Sequence, residues 1–414
     1  MPPGHDASLA VPHPVAPRVD RTIWAVLAVA VGAQTAGSFV AQGVYVLVPF
    51  WRDALGVTLA GAALAVTAMN AAQIATMVLL GRAIDRHGER AVVTLAMLGM
   101  AVAAAGTAML AEGLVALLVG MALLGGTYAA VQPGGTRAIM RWFPPEHRGL
   151  ATGFRQAAVP LGTAIAAAAL PLLAAAGGWQ AAVWAQAAAS LLGAALFWTL
   201  YREGGAPAAP QGGALPLSAL VRTLARTRGF LPVLLAGIAM SAWQFTLTAH
   251  AIAFLGEGLA LGLATAAAVF AAAQLVGIPG RVLLPWVADR LMPGRRPRAL
   301  GLVMLASAGV TLAFAALPAG SPLPAVAALM VPLGLFGIGW FPLYILQVAE
   351  MAPKGSIAST VSLATTLCMV VMALGPFAFG AVVGGFGFAP AWLLLTAPVL
   401  ASAIPLLRRG RAVA

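Results

Sequence analysis

Charge is scarce in this chain. Only 8% of its 414 residues are Asp, Glu, Lys or Arg, while 61% are hydrophobic. A soluble protein carries about 25% charged residues, so this composition excludes an ordinary water-soluble domain and makes lipid the solvent for most side chains. Cysteine is nearly absent. Cys368 stands alone, which excludes an internal disulfide, and a lone buried Cys is usually a small core residue. No His and Cys cluster has metal-ligand spacing, so neither a metal nor a cofactor is expected. Clustered acids, histidines, or a nucleophile with its base at one depth are missing too, and the chain is not read as an enzyme. Residues 1–21 hold Pro2, Pro3, Pro12, Pro14 and Pro17 but no apolar run, so they read as a disordered tail and not as a cleaved signal peptide.

What is present is apolar length. A bilayer core takes about 20 apolar residues per helix, and such stretches recur near 22–49, 57–80, 91–111, 114–139, 149–175 and 179–201. They resume near 229–255, 258–286, 299–319, 323–349, 357–385 and 388–407. The fold expected is an all-α integral membrane protein with twelve transmembrane helices in two six-helix bundles, 22–201 and 229–407. Residues 202–228 combine a Gly/Pro/Ala linker with a basic stretch that suits a helix on the membrane surface. Residues 408–414 form a basic tail.

The formal charge of +12 would suit a nucleic-acid binder, but its placement does not. With the N-terminus in the cytoplasm, all of the 23 Arg and Lys except Arg52 fall on the cytoplasmic side or in the inner ends of helices. That asymmetry is the positive-inside rule, and it places both termini in the cytoplasm. A nucleic-acid surface would need one contiguous soluble basic face. The abundance of Ala and Arg beside a single Lys354 suggests a GC-rich bacterial genome, hence a bacterial inner membrane.

The halves also repeat. Span two runs into Gly81-Arg82-Ala83-Ile84-Asp85-Arg86-His87-Gly88-Glu89-Arg90, and span eight into Pro285-Trp286-Val287-Ala288-Asp289-Arg290. Aligning Asp85 with Asp289 brings Asn70 onto Gln274, each about 22 Å up its helix. Arg148-Gly149 before span five likewise matches Lys354-Gly355 before span eleven.

The decapeptide Gly81–Arg90 resembles the loop between helices two and three of the major facilitator superfamily. Gly81, Asp85, Arg86, Gly88 and Arg90 match its pattern; Ala83, His87 and Glu89 depart from it mildly. The resemblance extends over nearly the whole chain through the spans, the central linker and the repeat. It implies a monomeric transporter working by alternating access. It also implies that Asp85 meets the start of helix eleven near Ser356–Thr360, with Asp289 and Arg290 in the mirrored contact near Gly149–Thr152. Asp85 is then a latch on the cytoplasmic gate; the competing reading is that the loop's arginines merely control topology.

Polar groups deep in a membrane usually face a cavity or the bundle interior. Those at depth are Gln34, Asn70 and Tyr128, then Trp243, Gln244, Gln274, Trp340 and Tyr344. The resemblance places their helices around a central substrate cavity; interhelical bonding and packing are the alternatives. Arg155 and Arg281 lie farther toward the cytoplasm and either snorkel and bridge the gate or attract an anion. No Asp or Glu occupies the middle of a span, which leaves Glu350, at the inner end of span ten, as the best candidate for proton coupling, with His250 a weaker one. Pro160 and Gly375-Pro376 mark corresponding bends; the Gly-Pro pair of drug–proton antiporters belongs in helix five, whereas here it is in helix eleven. The reading favoured is transport of a small polar or anionic organic solute by uniport, exchange or proton symport. The alternative is proton-coupled efflux of drugs or metabolites.

Overall fold

The computed structural model describes residues 21–202 and 215–408. The expected N-terminal tail up to residue 20, the Gly/Pro part of the linker and the basic tail beyond Arg408 lie outside the described residues. The first half holds α1 (Arg21–Leu55), α2 (Leu59–His87), α3 (Glu89–Leu110), α4 (Leu114–Tyr128), α5 (Val131–Trp142) and α6 (Pro145–Leu200). A short helix, α7 (Leu217–Arg226), precedes the second half. That half comprises α8 (Phe230–Ala253) with a π-turn at Phe254–Gly258, then α9 (Leu263–Leu291), α10 (Arg296–Ala315) and α11 (Leu323–Gly339). It ends with α12 (Phe341–Glu350), α13 (Ile357–Phe386) and α14 (Phe388–Arg408). Among the described residues there is no strand.

Eleven continuous helical stretches are long and apolar enough to cross a bilayer. One of them, α6, has 56 residues, about 84 Å of helix against a hydrocarbon core of about 30 Å. It is two spans. The break is at Gly177-Gly178, where Gly178 takes φ +74°, a conformation that a side chain disfavours. The twelve helices expected from the sequence are therefore present. Spans four and ten each bend between two helical pieces, α4–α5 and α11–α12.

The repeat is visible in the packing. In the first half α1 packs on α6, α2 on α4, and α3 on α6; in the second α8 packs on α13, α9 on α11, and α10 on α14. A Cβ on Gly125 would strike the Met69 carbonyl, and one on Gly334 would strike that of Ala273. The separation that carries Gly125 onto Gly334 also carries Gly178 onto Gly387, which has φ +82°. Each half has its own apolar core, one containing Val44, Met97 and Phe197, the other Met240, Phe314 and Val399.

The two halves meet toward the arginine-rich end. There α2 packs on α13, α6 on α9, α5 on α12 and α13, and α12 on α6, whereas α4 and α11 pack mainly within their own halves. The amphipathic α7 turns Leu220 and Leu224 inward and leaves Arg222 and Arg226 exposed. The amide of Leu215, just before it, donates to Ser356 Oγ at the head of α13 (3.2 Å).

Candidate functional site

The closed end is held by two carboxylates, each on the first turn of a helix in the other half. Asp85 accepts hydrogen bonds from the amides of Ala358 (3.0 Å) and Ser359 (2.7 Å) and from Ser359 Oγ (2.7 Å). Those amides begin α13 and have no acceptor within their own helix, and the helix dipole adds to the attraction for an anion. Asp289 accepts from the amide of Gly149 at the head of α6 (2.9 Å). Glycine makes both approaches possible. A Cβ on Gly81 would collide with Ser362 and the Ala358 carbonyl, and one on Gly149 with Asp289 and the Pro285 carbonyl.

The remaining motif cations stay within their own halves. Arg90 donates to the Trp198 carbonyl (2.9 Å) and lies over that indole, while Arg290 lies over Trp286. Arg86 is exposed.

Glu89 is a buried carboxylate at the arginine-rich end that sequence reasoning passed over as a mild departure. It is fully buried and paired with Arg137 and Arg141, the latter at 2.9 Å, and it accepts from the Tyr201 hydroxyl (2.7 Å). Arg137 also lies 3.5 Å from Asp85. Burial, reinforced by the Glu89 carboxylate, holds the Tyr201 phenol above its ordinary range, so it remains a donor. The second half repeats this cluster with its charges exchanged. Arg296, at the start of α10, binds Asp289 (2.6 Å) and Glu350 at the end of α12. The separation that relates Gly125 to Gly334 carries Arg141 onto Glu350. Arg296 also donates to the Pro145 carbonyl (2.8 Å), and Arg148 lies 3.7 Å from Glu350, so this cluster bridges the halves. The structure thus gives Glu350 two arginine partners at the gate.

Deeper in the first half, Arg155 has no exposed surface. From Pro145 it lies about 15 Å along α6. Its guanidinium donates to Gln34 Oε1 (2.8 Å), Gln132 Oε1 (3.2 Å) and Thr136 Oγ1 (2.9 Å). Gly135 leaves room for it, Gln34 in turn donates to Ser38 (3.2 Å), and the Tyr128 ring lies against Gly37 on α1. All these partners are neutral. Gln132 and Thr136 were not among the residues picked out in the sequence, because both lie toward the inner end of the stretch read as span four, away from its centre.

Arg281 on α9 donates to the carbonyl of Gln156 on α6 (3.0 Å), and Gly153 packs on the Arg281 backbone. Among the described residues, neither arginine has a carboxylate within ion-pair distance. Buried donors also lack partners at Arg155 Nε, Arg281 Nε, Gln132 Nε2 and Gln156 Nε2. Burying an ion costs several kcal/mol even after the protein relaxes, and orphaned N–H groups add to that cost. A site rich in unmet donors, with no acid, suits an anion.

The other residues expected around the cavity divide. Asn70 donates to the Tyr45 hydroxyl (2.9 Å), toward the end away from the gate. Gln244 accepts from Trp340 Nε1 (2.7 Å) and, like Gln274, is half-buried. Trp243, Trp340 and Tyr344 have 0–1% exposure and belong to the core of the second half. Trp243 donates to Thr311 (3.0 Å), and the ring of Trp243 fills the notch at Gly337 as that of Tyr344 fills the one at Gly237.

Two bundles of repeated topology, meeting at one end through carboxylates on facing helix starts, define a multi-pass membrane transporter. The Major Facilitator Superfamily profile matches residues 27–376, and the chain belongs to that family. An uncharacterized MFS-type transporter of Mycobacterium tuberculosis is 35% identical over 153 residues, which is 36% of this chain and 34% of the relative; the match spans about a third of that relative's length. Among solved structures, the Escherichia coli fucose:proton symporter has a TM-score of 0.77 at 15% identity, covering 94% of this chain and 98% of that one. The human organic anion transporter MFSD10 has a TM-score of 0.70 at 16% identity, covering 93% and 99%. At these identities the likeness is one of fold.

Proposed function

We propose that the chain is a secondary transporter that moves a small anionic organic solute across a bacterial inner membrane by alternating access. The observation that carries this reading is Arg155, a fully buried guanidinium whose hydrogen-bond partners are all neutral. A charged side chain inside a membrane protein is a functional group by default, and a neutral sugar or polyol would leave this one uncompensated. One structural neighbour is titled an organic anion transporter, which supports the reading but does not carry it.

The arginine-rich end is taken as the cytoplasmic one, from the positive-inside rule. Asp85 and Asp289 then latch the cytoplasmic gate, and the conformation described is the outward-facing one. Opening the gate separates Gly149 from Asp289 and Gly153 from Arg281, uncovering both arginines to the cytoplasm.

Thermal unfolding of the purified protein tests the site. Small carboxylates are expected to raise the Tm of the wild type and to lose that effect in Arg155→Gln, with Arg155→Lys intermediate. An equal shift in wild type and Arg155→Gln, or a shift produced only by neutral sugars, overturns the assignment.

A further inference from the structure

We infer that this transporter is an obligatory exchanger, carrying one anion in against another anion out, with no proton in its cycle. The inference rests on the anionic reading of the Arg155 site and adds the mode of coupling.

The argument starts from counter-charge. Arg155 and Arg281 sit within the spans and are bound by amide oxygens, a hydroxyl and a backbone carbonyl. Every described carboxylate lies at one end or the other of the helices. Asp85, Glu89, Asp289 and Glu350 are committed to the gate clusters, and Glu146 is in the first turn of α6. Asp53, Glu112 and Glu257 lie at the opposite end, where Asp53 pairs with Arg52. Among the described residues there is no carboxylate at the depth of the two arginines. Swinging the halves around an uncompensated cation is disfavoured, while swinging them around a cation paired with its substrate is not. A carrier that reorients only when loaded is an exchanger.

Proton symport would need a group that takes a proton in one conformation and releases it in the other. The groups facing Arg155 are Gln34 from α1, Gln132 and Thr136 from α5, and Tyr128 from α4. None of them titrates between pH 5 and 8. Of the described imidazoles, His87 ends α2 and His147 is in the first turn of α6, both at the gate end, whereas His250 lies on α8. Its Nε2 meets the Pro376 carbonyl (2.9 Å) and its ring lies on Phe379, so it faces α13 within its own half.

The experiment uses the full-length chain in proteoliposomes with labelled lactate, benzoate, succinate and phosphate as probes. Vesicles are either empty or loaded with the same unlabelled anion, with and without an imposed pH gradient. For a probe that also raises the Tm, uptake is expected to be at least about tenfold faster into loaded vesicles, a barrier difference of about 1.4 kcal/mol. The rate should not respond to the pH gradient. Equal uptake into empty vesicles overturns exchange while leaving the anion site standing. Uptake into empty vesicles that is driven by the pH gradient and lost in His250→Gln overturns it in favour of proton symport. If none of the four anions raises the Tm or is taken up, the anionic reading of the site fails, and the exchanger with it.

Discussion

Arg281 donates across the boundary between the halves to the carbonyl of Gln156 (3.0 Å), the carbonyl that Pro160 leaves without its helical donor. In an α-helix that oxygen would accept from the amide four residues on, and proline has none. A proline in one half thus frees the acceptor that a cation in the other half occupies. Under the proposed alternating access the bond would break when the gate opens, which makes Pro160 and Arg281 a pair.

Pro160→Ala should weaken that pair. An alanine at this position restores a backbone donor for Gln156, which then competes with Arg281. A hydrogen bond to a charged group contributes about 1.5–3 kcal/mol, and competition should remove part of it. The expected result is a larger gate-open population, read as faster labelling by a membrane-impermeant thiol reagent of a cysteine placed at Gly149. Arg281→Gln should act in the same direction, and Pro160→Ala added to Arg281→Gln should do little more. Additive effects would separate the two residues.

Asp85→Asn should cut transport while leaving expression near normal. The carboxylate accepts three hydrogen bonds from the start of α13. An amide keeps one acceptor and loses the charge that the helix terminus favours. Asp289→Asn should also weaken the gate, and additionally leaves Arg296 with only Glu350 as a carboxylate partner. Full transport by Asp85→Asn would return the motif to topology control, carried by its arginines.

The helices were legible in the sequence because lipid imposes long apolar runs, and the glycines and prolines that punctuate them are easily seen. The repeat was legible at Asp85 and Asp289, since both close a long apolar stretch in a recognisable charged motif and both meet a helix start. Glu89 was not, because its meaning depends on Arg137 and Arg141, brought to it only by the fold. The aromatic residues are ambiguous for a related reason. Depth in the membrane identifies Trp243, Trp340 and Tyr344, but it does not tell a residue facing a cavity from one packed in the core, as Trp243 and Tyr344 are against Gly337 and Gly237. The link between Pro160 and Arg281 lies in two halves of the chain, so no local pattern could reveal it.

Arg296 should be the costliest charge to remove at the gate. It binds Asp289, Glu350 and the Pro145 carbonyl together and is almost fully buried, so Arg296→Met would leave Asp289 with only the Gly149 amide and Glu350 with only Arg148 at 3.7 Å. Removing one partner of a buried pair costs about 3–5 kcal/mol. Glu350→Gln leaves Arg296 its bond to Asp289 and should cost much less. Adding Glu350→Gln to Arg296→Met should recover part of the loss, because one of the two under-compensated carboxylates is then neutral. Thermal unfolding of the two single variants and the double variant checks the order. If Glu350→Gln proves the more damaging single variant, Glu350 does work beyond this cluster, and proton coupling becomes its leading role.

Glycine substitutions should separate the gate from the fold. Gly81 and Gly149 allow contacts between the halves, whereas Gly125 and Gly334 allow contacts within a half. Gly81→Ala should leave each bundle intact and hold the gate open, because the new methyl group meets Ser362 and the Ala358 carbonyl only when the halves close. Yield and Tm should stay near wild type while transport falls. Gly125→Ala instead drives a methyl group into the Met69 backbone in every conformation, and Gly334→Ala does the same at Ala273. Overpacking of this kind costs about 1–3 kcal/mol, so both should lower Tm and yield. The matched pair is informative because a methyl group is added in each case and only the partner differs. Gly81→Ala with wild-type transport would mean that the α2–α13 contact does not have to re-form in each cycle.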